Sequence, residues 1–294
     1  MIRVGIIGSE SSHAMQFAKY FNLPDAKTGT MHDDDIRVTA IMGDAISAQK
    51  VANLAQVETI AGTVDELVNS VDAVMITSRR GSQHLEQALP FIKNRIPLFI
   101  DKPFTSSPKQ AQDLAKMVLN AECPILAGSG CKYSASVQKT KMVVKGMIAA
   151  GKLLTASLSF AIMMDSPYDG FYFYASHLVE ICMEIFGSNI QSVQATKTQK
   201  CLVANIQYSD IIVSLHFVTE VWSHSCTLIT SDGVHTWKLD TSDSLTEEAS
   251  LFSKLLHKEY ESMSYSELVH PIMLIDAILR SEMSGETIKN PLIE

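Results

Sequence analysis

The chain has no surplus of positive charge: 24 Lys and Arg stand against 32 Asp and Glu, a net charge of −8. Gripping a run of phosphates needs clustered Lys and Arg, and no basic stripe is present, which argues against a nucleic-acid partner. Cysteine is scarce too. The five (Cys123, Cys131, Cys182, Cys201, Cys226) are odd in number, scattered, and without a Cys-x-x-Cys pair. They read as reduced thiols of a cytoplasmic protein rather than a disulfide framework. No apolar run approaches the ~20 residues that a membrane span needs. The N-terminus runs straight into Ile2–Ile7, without the basic start and apolar stretch of a secretion signal. The expectation is a soluble, cytoplasmic protein with neither a nucleic-acid nor a membrane partner.

What is present suits an enzyme of two domains: 294 residues, 46% hydrophobic and 19% charged, more than one comfortable core. Short apolar runs at 2–7, 38–42, 57–60, 72–77, 97–100 and 124–127 alternate with helical patterns at 12–21, 45–54, 63–68, 82–93 and 108–119. Thr63, with Glu66 three residues on, predicts a capping box. Strands and helices alternating at this spacing imply right-handed crossovers and a doubly wound parallel sheet covered on both faces.

The rhythm changes after Gly128-Ser129-Gly130. A helix is predicted at 134–150, a strand at 155–163 and a helix at 171–186. Runs at 192–198, 202–208, 211–218, 225–230 and 234–239 read as adjacent strands of an antiparallel sheet, with Ser231-Asp232-Gly233 as a hairpin turn. Helices at 245–261 and 264–284 close the chain. The fold expected is α/β: a Rossmann domain over 1–128 and an α+β domain with a largely antiparallel sheet over 129–294. Val213, Leu215 and Phe217 share one side of that sheet and are expected to pair subunits, making a homo-oligomer.

Several segments resemble the glucose–fructose oxidoreductase / inositol dehydrogenase / MocA (Gfo/Idh/MocA) family of nicotinamide-dependent dehydrogenases. Phe99-Ile100-Asp101-Lys102-Pro103-Phe104 resembles the family's Glu-Lys-Pro signature, and Thr77 to His84 its segment from the fourth strand to an exposed His. Lys132-Tyr133-Ser134, leading into the helix that ends Ile148-Ala149-Ala150-Gly151-Lys152, and Ala175-Ser176-His177-Leu178-Val179-Glu180 before Ile185-Phe186-Gly187 are similar to two further family elements. The resemblance spans nearly the whole chain. It implies hydride transfer between NAD or NADP and a sugar, polyol or related small hydroxy compound. It equally admits a non-catalytic ligand sensor or protein-binding member, and a lyase or hydrolase that uses NAD transiently.

The cofactor turn departs from the family pattern. Gly-x-Gly-x-x-Gly lets a pyrophosphate approach a helix N-terminus, but here the three positions are Gly8, Glu10 and His13. Ser9, Ser11 and Ser12 remain as donors. Gly43 stands where the ribose-binding acid is expected, with Asp44 next, which either reaches the ribose or caps the following helix. By the resemblance Thr77, Ser78, Arg79, His84 and Asp101 line the cofactor crevice, with Arg80 beside them. Lys102 both borders the cofactor and holds the substrate hydroxyl.

By the resemblance His177 stands where the family carries its general base, since imidazole titrates near working pH; the alternative is a histidine satisfied within the core. The Asp expected four residues earlier is Phe173, with Asp169 or Glu180 as candidate substitutes. Tyr133, Tyr174 and Glu180 are expected at the substrate. No metal site is expected: His224 and Cys226 lack a second ligand pair, and His32 with Asp33-Asp34-Asp35 reads as a solvated loop.

Overall fold

The computed structural model describes residues 1–293. Packing divides the chain into two units, Met1–Gly128 with Leu245–Leu268, and Ser129–Ser244 with Val269 onward.

The first unit runs β1 (Ile2–Ile7), α1 (Ser12–Asn22), β2 (Ile36–Met42), α2 (Ala45–Ala55), β3 (Thr59–Ile60), α3 (Val64–Ser70), β4 (Ala73–Ile76), α4 (His84–Lys93), β5 (Leu98–Asp101), α5 (Pro108–Asn120) and β6 (Ile125–Gly128). Its six strands are parallel in the order β3-β2-β1-β4-β5-β6. All of Ala73–Ile76 and Leu98–Asp101 is buried, the continuous apolar pattern of strands covered on both faces. Helix α1 buries Ala14, Phe17, Ala18 and Phe21. Strand order reverses between β1 and β4, and sheets of this kind bind ligands in the crevice beyond the strand ends at such a point. At α3 the Thr63 hydroxyl accepts from Glu66 N, but the Glu66 carboxylate reaches back to Gly62 N (2.7 Å) rather than to Thr63.

The chain continues with α6 (Ala135–Ala149), β7 (Leu153–Ala161), α7 (Phe171–Phe186), β8 (Ser192–Lys197), β9 (Cys201–Gln207), β10 (Ile212–Val218), β11 (Ser225–Thr230) and β12 (Gly233–Lys238). Two helices, α8 (Ser244–Leu256) and α9 (Tyr265–Ser284), and the short β13 (Ile288–Lys289) end it. The second sheet has the order β12-β11-β7-β10-β9-β8-β13. Sequence reading placed β10 beside β11. Instead β7 lies between them, parallel to β10 and antiparallel to β11. Parallel partners need a crossover connection, and α7, on the chain between β7 and β10, packs against both.

That packing overturns the expected role of Val213, Leu215 and Phe217. All three are fully buried within the unit, and the Phe217 ring meets Phe171 of α7 edge-on at 4.9 Å. The opposite sheet face carries Thr155, Ser157, Ser159, Ile212, Ser214, His216, Asn205 and Thr227. Hydroxyls bond across it: Ser159 to Ser225 at 2.7 Å, Ser214 to Asn205 at 2.7 Å, Thr227 to Thr236 at 3.0 Å.

Helix α8, read from sequence as part of the second half, groups from Leu245 with the first unit. Phe252 is fully buried with its ring 5.7 Å from that of Phe99 on β5. Asp33 Oδ2 accepts from Ser253 (2.5 Å) and contacts the His257 imidazole (3.0 Å), so Asp33 is an anchor for α8 and not a solvated loop residue. Ser262 Oγ accepts from Ile125 N (2.9 Å), and Met263 N donates to Ile125 O (3.0 Å), extending the attachment to β6.

Candidate active site

At the β1–α1 turn Gly8 adopts φ +97°, and a Cβ there would lie 2.3 Å from Ser78 N. No L side chain fits. The Thr77 hydroxyl, fully buried, reaches the carbonyls of Ile7 (3.0 Å) and Gly8 (3.1 Å). It ties the ends of β1 and β4 together. Ser9 is buried and donates to Asp44 O (3.1 Å), while a Cβ on Gly43 would meet the Ser9 hydroxyl at 2.4 Å. Gly43, where an acid was expected, is thus required by the close approach of two loops. Asp44 caps α2, accepting from Ser47 N at 2.9 Å. The Ser47 N–H and hydroxyl hold its carboxyl below the usual range.

Ser11 is the N-cap of α1, its hydroxyl accepting from His13 N at 3.2 Å. Ser12 opens the helix and is exposed, as is Glu10. His13, at the third glycine position, reaches Asp101 at the end of β5: Nδ1 lies 2.7 Å from Oδ2. The other Asp101 oxygen accepts from Lys102 N (2.7 Å). Burial alone would raise the Asp101 carboxyl. The His13 imidazole and Lys102 outweigh it and hold the carboxyl below its ordinary value. Asp101 is therefore an internal carboxylate whose two oxygens are both engaged. The Lys102 side chain beside it is buried.

His84 is fully buried, with Nε2 2.7 Å from Ser78 O and Nδ1 3.3 Å from Phe104 O. Burial lowers its pKa, only partly offset by the Ser78 carbonyl. A neutral ring has one N–H to give, and the shorter contact assigns it to Ser78. His84, read as an exposed cofactor contact, is a bracket between the loops after β4 and β5. Ser78 supplies that bracket's carbonyl. Arg79 is half-buried and Arg80 exposed.

In the second unit α7 carries His177, which is half-buried. Its Nδ1 lies 2.6 Å from Ser129 Oγ and 3.5 Å from Cys131 Sγ. The ring stacks on Phe160 (5.3 Å, 26°), and Phe160 stacks on His224 (3.6 Å, 6°). Phe173, at the position expected for Asp, is buried and packs against Tyr174 and Tyr168.

Glu180, expected at the substrate, is buried. Its Oε2 accepts from both Lys132 Nζ (2.8 Å) and Ser129 N (2.9 Å). The Lys132 ammonium also sits 5.0 Å from the Tyr133 ring centre. Tyr174 is half-buried between Phe173 and Trp222. Sequence reasoning missed His13, Ser129 and Lys132 as members of these clusters. A charged-pair candidate was visible for His13, an imidazole and a carboxylate standing at two altered family positions. For Ser129 no local signal exists.

Among the described residues no three His, Cys, Asp or Glu side chains gather as a metal-holding group. No helix among them is long and apolar enough to cross a membrane.

A parallel sheet of this strand order, with a glycine-only turn into a helix N-terminus at its reversal point, defines a dinucleotide-binding Rossmann domain; an α+β unit accompanies it. Residues 2–129 match the family described as the oxidoreductase family, NAD-binding Rossmann fold (Gfo/Idh/MocA). That segment is less than half of the chain.

Solved structures share the whole fold. A probable dehydrogenase from Thermotoga maritima superposes with a TM-score of 0.82 at 15% identity, covering 99% of this chain and 100% of that one. Myo-inositol dehydrogenase from Lactobacillus casei, solved with NAD(H) and myo-inositol, has a TM-score of 0.79 at 15% identity and coverage of 98% and 96%. Myo-inositol 2-dehydrogenase from Lactobacillus plantarum has a TM-score of 0.80 at 14% identity, with 98% and 99% covered. No curated protein sequence matches the chain.

The residues present fit a dinucleotide. The α1 N-terminus stands at the end of β1 behind the Gly8 turn, and Glu10 is exposed rather than packed inside that turn.

Proposed function

We propose that the chain is an NAD(P)-dependent oxidoreductase that transfers a hydride between its cofactor and a sugar, polyol or related small hydroxy compound. The observation that carries this reading is a buried lysine at the carboxyl end of β5 in an NAD-binding Rossmann domain. The inositol dehydrogenases of the same fold support the substrate class.

The α1 N-terminus, with Gly8 and the hydroxyls of Ser11 and Ser12, would hold the pyrophosphate, and Arg79 would border it. The bound nicotinamide supplies the hydride chemistry. Lys102 holds the substrate hydroxyl, its amine kept in place by a turn whose Asp101 is already engaged by His13. His177 accepts the hydroxyl proton. Tyr133 and Tyr174 line the substrate. The protein's share is orientation and electrostatics.

Purified chain titrated with NAD, NADH, NADP and NADPH, followed by nicotinamide fluorescence and calorimetry, is expected to bind at least one pair. Binding to none of the four by folded protein would end the oxidoreductase reading. Because Glu10 and His13 stand at two glycine positions, the competing reading is a ligand sensor. It would show small-molecule binding without turnover.

The hydroxyl-rich face of the second sheet is where we place a second copy of the chain. Ile212 and Ile229 are more than a third exposed on it, and two pairs of its hydroxyls bond to one another. Sedimentation at micromolar concentration should give a dimer or larger, and Ser214→Glu, which sets a charge at the middle of the face, should dissociate it. A wild-type monomer overturns the placement. Five cysteines without a disulfide, four of them buried, support a cytoplasmic location.

A further inference from the structure

Strand β12 is the outermost strand of the second sheet, and among the described residues no strand pairs with its far side. Leu239 N donates to His224 O at 2.8 Å, continuing the β11–β12 register by one pair. Bonded and non-bonded pairs alternate along an antiparallel ladder, so that bond fixes the parity of the rest. Trp237 and His235 turn their backbone groups to β11. Val234, Thr236 and Lys238 turn theirs outward.

Helix α6 runs beside this edge. Its residues Ser136, Lys139, Thr140, Val143 and Met147 recur at helical spacing on one face, and with Val234–Lys238 they line a groove. Five consecutive strand residues line it, with side chains of both parities, so the strand presents its edge to the groove. The Trp237 indole donates to Thr140 Oγ1 at 2.9 Å and ties the two walls together. Val143 and Val234 stand exposed along them.

We propose that this groove takes an extended acidic segment of another protein, which adds to β12 as a further strand. An open edge supplies the main-chain bonds of such a complex, and the side chains beside it supply selectivity. Charge on the walls sets the sign of the partner. The ionisable residues lining the groove are Lys139, His235 and Lys238, all basic, in a chain whose net charge is −8. The carboxylates that flank these segments are already engaged: Asp232 by Lys152 Nζ (2.7 Å), Asp240 by Ser242 N (3.0 Å) and Asp243 by Ala135 N (3.0 Å).

A second copy of the chain fits less well. Two β12 strands joined edge to edge would bring these bases against their own equals, and like charges facing across a strand pair are destabilising. An acidic strand would answer them instead, while its apolar side chains met Val143, Met147 and the Trp237 ring.

The test uses the full chain carrying Trp222→Phe, which leaves Trp237 as the only tryptophan. Three capped seven-residue peptides are the probes: one alternating valine and glutamate, one with lysine in place of glutamate, and the glutamate peptide with every backbone amide N-methylated. The first should change the Trp237 emission saturably. The other two should bind at least ~10-fold more weakly, the scale of losing one charge-assisted hydrogen bond.

Thr236→Pro deletes an outward N–H and leaves the β11 ladder intact, since an edge strand tolerates proline where its N–H faces away. Lys139→Glu reverses one wall charge. Each should weaken the first peptide at least ~10-fold, with the far-ultraviolet circular dichroism unchanged. Should the proline variant unfold, the N-methylated peptide decides the backbone pairing on the unaltered edge.

An acidic peptide that does not bind, or lysine or N-methylated peptides that bind as tightly, would overturn the proposal. So would an oligomer that Thr236→Pro converts to monomer, because the occupant of the edge would then be a second copy.

Discussion

Lys102→Ala is expected to lower kcat/KM by roughly 10²–10⁴-fold, with dinucleotide affinity little changed. The expectation follows from where the ammonium stands. Lys102 is the first residue after β5, at the sheet edge where α/β proteins take their ligands, and the residue is 6% exposed. In a site that excludes water, a fixed cation acts on a substrate oxygen with little reorganisation. The neighbouring carboxylate does not compete for a ligand: Asp101 is spanned by His13 and the Lys102 N–H.

Lys102→Arg should not rescue, because a planar fork cannot replace a compact ammonium at a packed position. Stopped-flow reduction of the nicotinamide with saturating substrate measures the loss, and equilibrium titration of the cofactor shows that the turn after β1 is intact. A Lys102→Ala chain that turns over like wild type removes Lys102 from the reaction.

The second large effect is on stability. Glu180→Ala should destabilise the second unit by about 3–5 kcal/mol, the usual cost of leaving one partner of a buried ion pair alone. The side chains of Lys132 and Glu180 are 8% and 4% exposed, so water does not replace the lost partner. The deletion also takes the acceptor from Ser129 N.

The double variant Lys132→Met, Glu180→Gln keeps an acceptor for Ser129 and removes both charges, so it should recover most of the loss. That outcome separates a stranded charge from a packing defect. The chain's two tryptophans, Trp222 and Trp237, both lie within Ser129–Ser244. Denaturant unfolding followed by tryptophan fluorescence therefore reports on the second unit alone. A Glu180→Ala transition that coincides with wild type refutes the argument.

Much of the first unit was legible because its signals are local. A buried parallel strand is a short apolar run, and an amphipathic helix repeats every 3.6 residues, so Ile2–Ile7 and the Ala14, Phe17, Ala18, Phe21 stripe announced themselves. The strand rhythm with right-handed crossovers left few ways to wind the sheet. Lys102 and His177 are candidates read from short motifs; the structure places the first just after β5 and the second on α7. Turn chemistry is harder to read: sequence alone leaves Asp44 between ribose ligand and helix cap, and in the structure it caps α2.

The second sheet shows where such reading stops. Alternation told that Val213, Leu215 and Phe217 share a face, but two-residue periodicity does not say which face is covered. Helix α7 covers that one, and the exposed face is the hydroxylated side.

Residue types, periodicities and glycine positions along the chain were enough for the element order, the α/β class and the identity of the first domain. Three-dimensional packing alone decided that β7 enters between β10 and β11, that α8 docks through Phe252 and Asp33 onto the first sheet's unit, and that His13 meets Asp101 and Ser129 meets His177. Those last two pairs are separated by 88 and 48 residues. The reason is physical: a periodic pattern is set by neighbours within one turn or one strand, whereas a hydrogen bond between distant side chains exists only after the chain's crossovers have brought them to the same place.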